Sequence, residues 1–141
     1  MSKLDEFTDS MIRASKEATK EHKKFLREQG TKLRRKTAQR ARAVVGKAAV
    51  QRPKYTRTPG QYHKSIKRGK VYTKDGGLQI RVYSGDKIAH LIEMGWTPKL
   101  RNGSKGKKRD GKNVFEDAQT AFEDEFAKAS EEAIDEMIRK L

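Results

Sequence analysis

Apolar side chains recur at intervals of three and four residues along the first third of the chain, which is the spacing of one helix face. The pattern predicts helix from about residue 3 to residue 51. Gly30 interrupts the run and predicts either a kink or a break between two helices. The apolar positions of this predicted helix are Leu4, Phe7, Met11, Ala14, Ala18, Phe25, Leu33, Ala41, Val44, Val45 and Ala48.

The middle of the chain follows a different pattern. Pro53 and Pro59 forbid further helix, and Thr58-Pro59-Gly60 is a turn sequence. The stretches IKRGKVYT and LQIRVYSG then alternate apolar and polar residues, as half-buried strands do. Asp75-Gly76-Gly77 lies between them, so the sequence predicts a β-hairpin here.

Helical spacing returns toward the C-terminal end. Asn113 is the predicted N-cap of this helix, and Glu116 stands at the capping-box position. The short apolar segment before it, Ile88 to Trp96, predicts either a short helix or a strand. The glycine-rich, basic residues 101–112 predict a mobile loop. The apolar positions of the terminal helix are Phe115, Ala118, Phe122, Phe126, Ala129, Ala133, Met137 and Leu141.

These elements predict one α+β domain over residues 1–141. It comprises a basic helical region at 1–52, the turn, hairpin and apolar segment at 53–100, the basic loop at 101–112 and an acidic amphipathic helix at 113–141. The two long helical regions are expected to pack together over one face of the small antiparallel hairpin sheet. Only 33% of the residues are apolar and 38% are charged, which predicts a modest core.

Charge is distributed unevenly along the chain. The formal net charge is +15, with +11 over residues 1–60, +9 over 61–110 and −5 over 111–141. Such a chain favours polyanions or acidic protein partners. The acidic segment could also dock on the basic face of a neighbouring copy.

Composition excludes several classes of function. The chain has no cysteine, so disulfides, zinc ribbons and thiol catalysis are ruled out. The stretch MSKLDEF has no apolar signal core, and no window approaches the roughly 18 apolar residues of a membrane span. We therefore expect a protein without an export signal or a membrane anchor.

His90 and Glu93 are three residues apart and would share a helix face. Such a pair could perform acid–base chemistry, but catalysis usually needs a third group or a metal. Neither His22 nor His63 has ligand spacing to His90. We therefore interpret the pair as structural and predict no catalytic residue, metal site or cofactor.

Residues 106–113, GKKRDGKN, nearly match the phosphate loop G-x-x-x-x-G-K-[ST]. Asn113 replaces the hydroxyl that would bind magnesium, and no buried strand is predicted before the loop. We interpret this near-match as chance in a region rich in lysine and glycine.

Cationic side chains are the candidate contacts to DNA or to an acidic partner. Phosphate contacts of this kind are unspecific and weaken steeply with salt. No helix-turn-helix, RNA-recognition or zinc-finger pattern is present. The candidates are Arg34, Arg35, Lys36, Arg40, Lys105, Lys107, Lys108 and Arg109.

The order of these features resembles the neck-protein family of long-tailed bacteriophages, also described as head–tail joining or tail-completion proteins. Members commonly have a T-G-x-L-x-x-S-I-like turn, which residues 58–66 resemble, with Pro59 inserted and Tyr62 at the apolar position. They commonly have a Y-A-x-x-x-E-x-G segment. Residues 88–95 resemble it, with Ile88 in place of the aromatic residue.

Members also have a P-x-x-F-hydrophobic-x-x-A entry to the last helix, which Val114-Phe115 and Ala118 resemble without the proline. The resemblance implies an α+β virion subunit that forms rings, commonly six- or twelve-fold, in the neck between the DNA-filled head and the tail. It implies no catalytic residues. Its partners would be further copies, other connector and tail proteins and packaged double-stranded DNA, with assembly in the host cytoplasm and no membrane.

The resemblance assigns core or interface contacts to the apolar segment and the last helix. Gly95 would permit close backbone approach, and Glu93 would cap or pair locally. The candidates are Leu91, Ile92, Glu93, Met94, Gly95, Trp96, Phe115 and Phe122. The alternative function is a small basic nucleic-acid-binding protein, which explains the charge but not the acidic helix or the tryptophan-bearing segment.

Overall fold

The computed structural model describes residues 2–46, 50–52, 55–57 and 59–140 and has the predicted α+β architecture. The predicted positions Ala48, Pro53 and Leu141 lie outside the described residues. The elements are α1 (Lys3–Val44), β1 (Val50–Arg52), β2 (Tyr55–Arg57), α2 (Gln61–Lys64), β3 (Ile66–Arg68), β4 (Tyr72–Lys74), β5 (Gly77–Gln79), β6 (Val82–Ser84), α3 (Ala89–Met94), β7 (Gly95–Trp96), β8 (Arg109–Asp110) and α4 (Val114–Arg139).

Helix α1 is one continuous helix of 42 residues. Ser2 and Asp5 form a capping box at its start, which supplies acceptors to otherwise unpaired N–H groups. The predicted break at Gly30 is wrong. Gly30 is buried, and a Cβ there would lie 3.0 Å from Ile80 Cδ1, so this glycine lets the β-hairpin approach the helix closely.

The prediction that helix continues to residue 51 is also wrong. Helix α1 ends at Val44, and residues 50–52 form β1, which pairs antiparallel with β2. His63 Nε2 lies 3.2 Å from the Ala41 carbonyl oxygen and 3.0 Å from that of Val45. Because carbonyls only accept, Nε2 carries the proton here and caps the helix end. A contact across the fold thus assists the termination of α1.

Helix α4 packs antiparallel against α1, as the ion pairs between them demonstrate. Arg40 near the end of α1 contacts Asp117 at the start of α4 at 2.9 Å, whereas Glu21 contacts Lys140 at 2.8 Å. A third pair, Lys36–Glu125 at 3.0 Å, lies between them. Each pair is solvent-exposed and contributes little energy alone. The acidic helix therefore docks on the basic helix of its own chain.

Residues 66–84 form one bent β-hairpin. Its tip is the predicted turn, where Asp75 and Gly76 both have positive φ, 53° and 77°, as a type I′ turn requires. Between the Arg68↔Val82 and Tyr72↔Gln79 pairs lie three residues on one strand and two on the other. This bulge bends the hairpin. Strands β3 and β6 pack against α1, and α4 packs against α1 in turn, so the predicted contact between the two long helices and that between a helix and the sheet are both present.

The core is small, as the composition predicts. Its centre consists of Ala41, Tyr62, Ile66 and Val114, which come from α1, α2, β3 and the start of α4. Ile92 and Phe115 are half-buried against it. No helix in the described part of the chain is long and apolar enough to cross a membrane.

Candidate functional site

The segment from residue 88 to residue 96 holds the start of α4 through Glu93. Its residues 89–94 form α3, which resolves the ambiguity between helix and strand. Glu93 Oε1 accepts a hydrogen bond from the Phe115 N–H at 2.9 Å, and Oε2 accepts one from Glu116 N–H at 3.0 Å. The carboxylate therefore caps the positive N-terminus of α4 from a different element.

This cap replaces the one that the sequence predicts. Asn113 occupies the N-cap position, but its φ and ψ are 48° and 43°, and its side chain makes no capping hydrogen bond. The capping box with Glu116 is consequently wrong. In the left-handed conformation Asn113 turns the chain into α4, and the acceptors come from Glu93 instead.

The structure does not join His90 and Glu93 into an acid–base pair. His90 is exposed, while both carboxylate oxygens of Glu93 face α4. Among the described residues there is no group of three or more His, Cys, Asp or Glu side chains arranged to hold a metal ion. The chemistry of Glu93 in this arrangement is that of a helix cap.

Residues 95–110 form a second hairpin, in which β7 pairs with β8. Toward its tip, Lys99 bridges Lys105, and the Gly106 N–H donates to the Pro98 carbonyl at 2.7 Å. The sequence predicts a loop here, and the structure shows a backbone-hydrogen-bonded hairpin. Its mobility in solution stays a prediction.

Two glycines bring this hairpin against α3. A Cβ on Gly95 would lie 2.4 Å from the Arg109 carbonyl oxygen, and a Cβ on Gly111 would lie 2.3 Å from that of Glu93. The close backbone approach predicted at Gly95 is confirmed. Gly111 is its partner, which sequence reasoning missed because a glycine in a glycine-rich loop carries no distinguishing signal.

Two backbone N–H groups at the end of the near-match to a phosphate loop are already bonded within the fold. The Lys112 N–H donates to the Ile92 carbonyl at 2.7 Å, and the Asn113 N–H donates to that of Glu93 at 3.3 Å. A phosphate loop uses backbone N–H groups of this stretch to hold its ligand. These two N–H groups instead hold residues 112–113 against α3.

The candidate interface or core residues divide into two sets. Phe122 is buried, while Leu91, Ile92 and Phe115 are half-buried. In contrast, 74% of Met94 and 46% of Trp96 are exposed. A core role is therefore wrong for Met94 and Trp96, and their interface role stays a prediction.

Most of the cationic candidates on α1 are engaged within the chain. Lys36 and Arg40 pair with α4, and Arg34 Nε donates to the Ile66 carbonyl at 3.2 Å. Arg35 is exposed and makes no ion pair within the described residues. The same holds for the cations of the second hairpin, which are Lys105, Lys107, Lys108 and Arg109.

Tyr62 lies at the base of this site and makes folding sensitive to high pH. Burial, helped by the nearby carboxylates of Glu93 and Asp86, raises the pKa of Tyr62 from 10.0 to about 12. Because the folded pKa exceeds the unfolded one, the contribution of Tyr62 to stability is complete below pH 10. This contribution is lost as the pH rises from about 10 to about 12. A pKa difference of about two between the folded and unfolded protein corresponds to about 2–3 kcal/mol of the free energy of unfolding.

We expect Tyr62→Phe to remove this part of the pH dependence. The Tyr62 hydroxyl has no hydrogen-bond partner among the described residues, so the substitution should cost little at pH 8. Urea unfolding at pH 8 to 11.5 would measure the difference between the two proteins, with the exposed Tyr83→Phe as the control. Parallel pH profiles for wild type and Tyr62→Phe would contradict the assignment.

The architecture is that of a small α+β protein whose segment 88–96 is structural and whose large apolar side chains are partly left in solvent. A model of the family described as "Bacteriophage HK97-gp10, putative tail-component" matches residues 5–95. The chain therefore belongs to the HK97-gp10-like family of phage tail components. The predicted family of phage neck and tail-completion proteins is consistent with this match.

The match begins at Asp5 in the first turn of α1, includes the bent hairpin and α3, and ends at Gly95. The second hairpin and α4 lie beyond it. No curated protein and no solved structure matches the chain significantly.

Proposed function

We propose that this protein is a structural subunit of the phage neck that joins the DNA-filled head to the tail. It acts through ring assembly and protein–protein interfaces, without catalysis, cofactor or metal. The phage tail-component family supports a place in the virion. Rings of six or twelve copies would contact other connector and tail proteins and let double-stranded DNA pass through their centre, after assembly in the host cytoplasm.

The observation that carries this proposal is the set of large apolar side chains that the folded chain leaves exposed. Contiguous exposed apolar surface on a soluble protein usually marks a partner-binding site. Leu4, Phe7, Met11 and Ile12 lie on the first turns of α1, and Ile134 and Ile138 lie at the far end of α4. Met94, Trp96 and Leu100 form a further exposed set around the second hairpin.

The proposal can be tested with phage particles that are made without the protein. A phage carrying an early stop codon in this reading frame should yield DNA-filled heads and separate tails by electron microscopy. Supplying the wild-type protein in trans should restore joined particles, in which mass spectrometry should detect it. Joined, infectious particles that lack the protein would overturn the neck assignment.

Trp96 tests whether the exposed apolar set serves assembly. Because Trp96 is half exposed and outside the core, we expect Trp96→Ala to lower the free energy of unfolding by about 1–3 kcal/mol and to leave the protein folded. Head–tail joining should nevertheless fall in the complementation assay. Thr97→Ala, at an exposed neighbouring position, is the control. Full complementation by a stable Trp96→Ala protein would exclude Trp96 from the interface.

The second hairpin supports nucleic-acid binding as the alternative function. Its Lys105, Lys107, Lys108 and Arg109 are exposed and have no ion-pair partners in the described part of the chain. Such a cluster can neutralise phosphates, with an affinity that falls steeply as salt rises. Packaged DNA in a ring channel would be one target of this cluster.

A titration of double-stranded DNA at several ionic strengths separates these functions. Sub-micromolar affinity near 0.15 M salt favours a dedicated binder, since unspecific contacts give about 10⁻⁴–10⁻⁶ M. Changing the four hairpin cations to glutamine should then flatten the salt dependence. The control carries the same four changes at Lys16, Lys20, Lys23 and Lys24, exposed positions on α1. Binding that vanishes near 0.15 M salt leaves protein neighbours as the targets of the charge.

A further inference from the structure

An apolar groove lies where α1, α4 and the bent hairpin meet. It encloses about 530 Å³. Leu26, Leu33, Phe122 and Phe126 line it from the helices, and Leu78 and Ile80 line it from the hairpin. A groove of this volume has room for two or three large apolar side chains.

A buried polar atom in the same groove also lacks a partner. Gln29 lines the groove and is 6% exposed, yet its Oε1 accepts no hydrogen bond from any described residue. Buried acceptors are nearly always paired in folded proteins. An incoming group with a hydrogen-bond donor would satisfy this oxygen.

The arm, residues 3–20 of α1, is the matching unpartnered element. Helix α4 ends beside Glu21, so the arm projects about 27 Å beyond it at 1.5 Å per residue. Leu4, Phe7 and Met11 form an exposed stripe on the arm, and Phe7 is 62% exposed. Ser10 lies beside the stripe and has a hydroxyl donor.

The arm cannot reach the groove of its own chain. Phe7 and Gln29 belong to the same unbroken helix and are 22 residues apart, which is about 33 Å along the axis. The arm therefore needs another copy. Contact between two different surfaces of identical chains is heterologous, and heterologous contacts close into rings when the rotation permits.

We propose that the arm of one copy docks its Leu4–Phe7–Met11 stripe into the groove of the next copy. This inference rests on the ring assembly proposed above and supplies its interface. Arg81 and Glu123 line the groove, and the arm carries both the basic Lys3 and acidic side chains. Both signs of groove charge can thus find an opposite charge on the arm.

Two variants separate the two halves of the interface. Phe7→Ala with Met11→Ala removes the stripe while keeping helix propensity. Its control is Arg13→Ala, an exposed position on the opposite face of the arm. Gln119→Arg fills the groove from an exposed position, where Glu123 one turn later can hold the new side chain across it. Its control is Thr120→Arg, which is also exposed but does not line the groove.

Analytical ultracentrifugation measures the oligomers of each protein at matched concentrations. We expect wild type and both controls to self-associate, and each variant alone to associate at least about tenfold more weakly, as expected for lost burial of large apolar side chains. A 1:1 mixture of the two variants should form dimers and nothing larger. One intact arm and one intact groove remain in that mixture, which suffices for a single contact.

Several results would overturn the inference. If the groove variant associates like wild type while the arm variant does not, the arms pair with one another rather than with grooves. A mixture that fails to form dimers would also contradict the arm–groove contact. A monomeric wild type, or variants that associate like wild type, would exclude the arm–groove contact. The phage complementation assay tests the arm–groove contact separately from the proposed neck function. An arm variant that still joins heads to tails overturns the inference alone, whereas joined particles made without the protein overturn both.

Discussion

Gly95→Ala is expected to lower the free energy of unfolding by at least about 3 kcal/mol or to prevent folding. Gly95 has φ 83° and ψ 176°, a region that residues other than glycine essentially never occupy, at a cost of about 1–3 kcal/mol. The new Cβ would also lie 2.4 Å from the Arg109 carbonyl oxygen and 2.7 Å from the Gly111 nitrogen. Both are backbone atoms, so relief requires α3 and the second hairpin to separate.

Gly103→Ala is the matched control for this prediction. Gly103 has a similar φ of 84°, but a Cβ there would meet nothing within 4 Å. Gly103→Ala should therefore lower the free energy of unfolding only by the conformational cost of about 1–2 kcal/mol. Urea unfolding of the three proteins measures the difference. Equal losses for Gly95→Ala and Gly103→Ala would show that the close backbone approach contributes nothing to stability.

Glu93→Ala is expected to lower the free energy of unfolding by about 2–3 kcal/mol. The substitution removes two charge-assisted hydrogen bonds to the Phe115 and Glu116 N–H groups and a negative charge at a helix N-terminus. Hydrogen exchange should report faster opening at the first turn of α4 than at its middle. Glu93→Gln should lose about half as much, since its single carbonyl oxygen can still serve one N–H group.

Glu116→Gln separates capping from general electrostatics. Glu116 is also a carboxylate in the first turn of α4, but it is exposed and makes no capping hydrogen bond. Its neutralisation should change the free energy of unfolding by less than about 1 kcal/mol. A loss as large as that of Glu93→Ala would mean that charge near the helix end, rather than the two hydrogen bonds, stabilises α4.

Glu93 and Gly95 explain the E-x-G spacing of the apolar segment in physical terms. Glu93 holds α4, and two residues later Gly95 admits the backbone of the second hairpin. The family match ends at Gly95, so the segment is also the junction to the part of the chain outside the match. Its histidine, which suggests chemistry in the sequence, points into solvent.

Much of the fold was predictable because the signals were local. A long apolar stripe at helical spacing placed α1 and α4, and Asp75-Gly76-Gly77 placed a hairpin whose type I′ turn demands positive φ. The errors occurred where distant contacts dominate. Gly30 predicts a helix break from local sequence alone. In the structure Ile80 occupies the space that a side chain at residue 30 would need.

The candidate site was predicted only in outline. The resemblance singled out the segment 88–96, but not which of its side chains face solvent. Charge alone could not tell cations paired with α4, such as Lys36 and Arg40, from those left exposed in the second hairpin. The groove was not predictable, because its lining comes from three elements that are far apart in the chain.

The sequence by itself determined the α+β class, the two amphipathic helices, the hairpin turn, the uneven charge and the phage family. These follow from periodicity, turn chemistry and motif order, which are properties of neighbouring residues. Only the tertiary structure decided which residues pair the acidic helix with the basic helix, that Glu93 caps α4 and that Trp96 and the arm are exposed. The physical reason is that partnership and burial depend on which distant segments meet, and local patterns do not specify that.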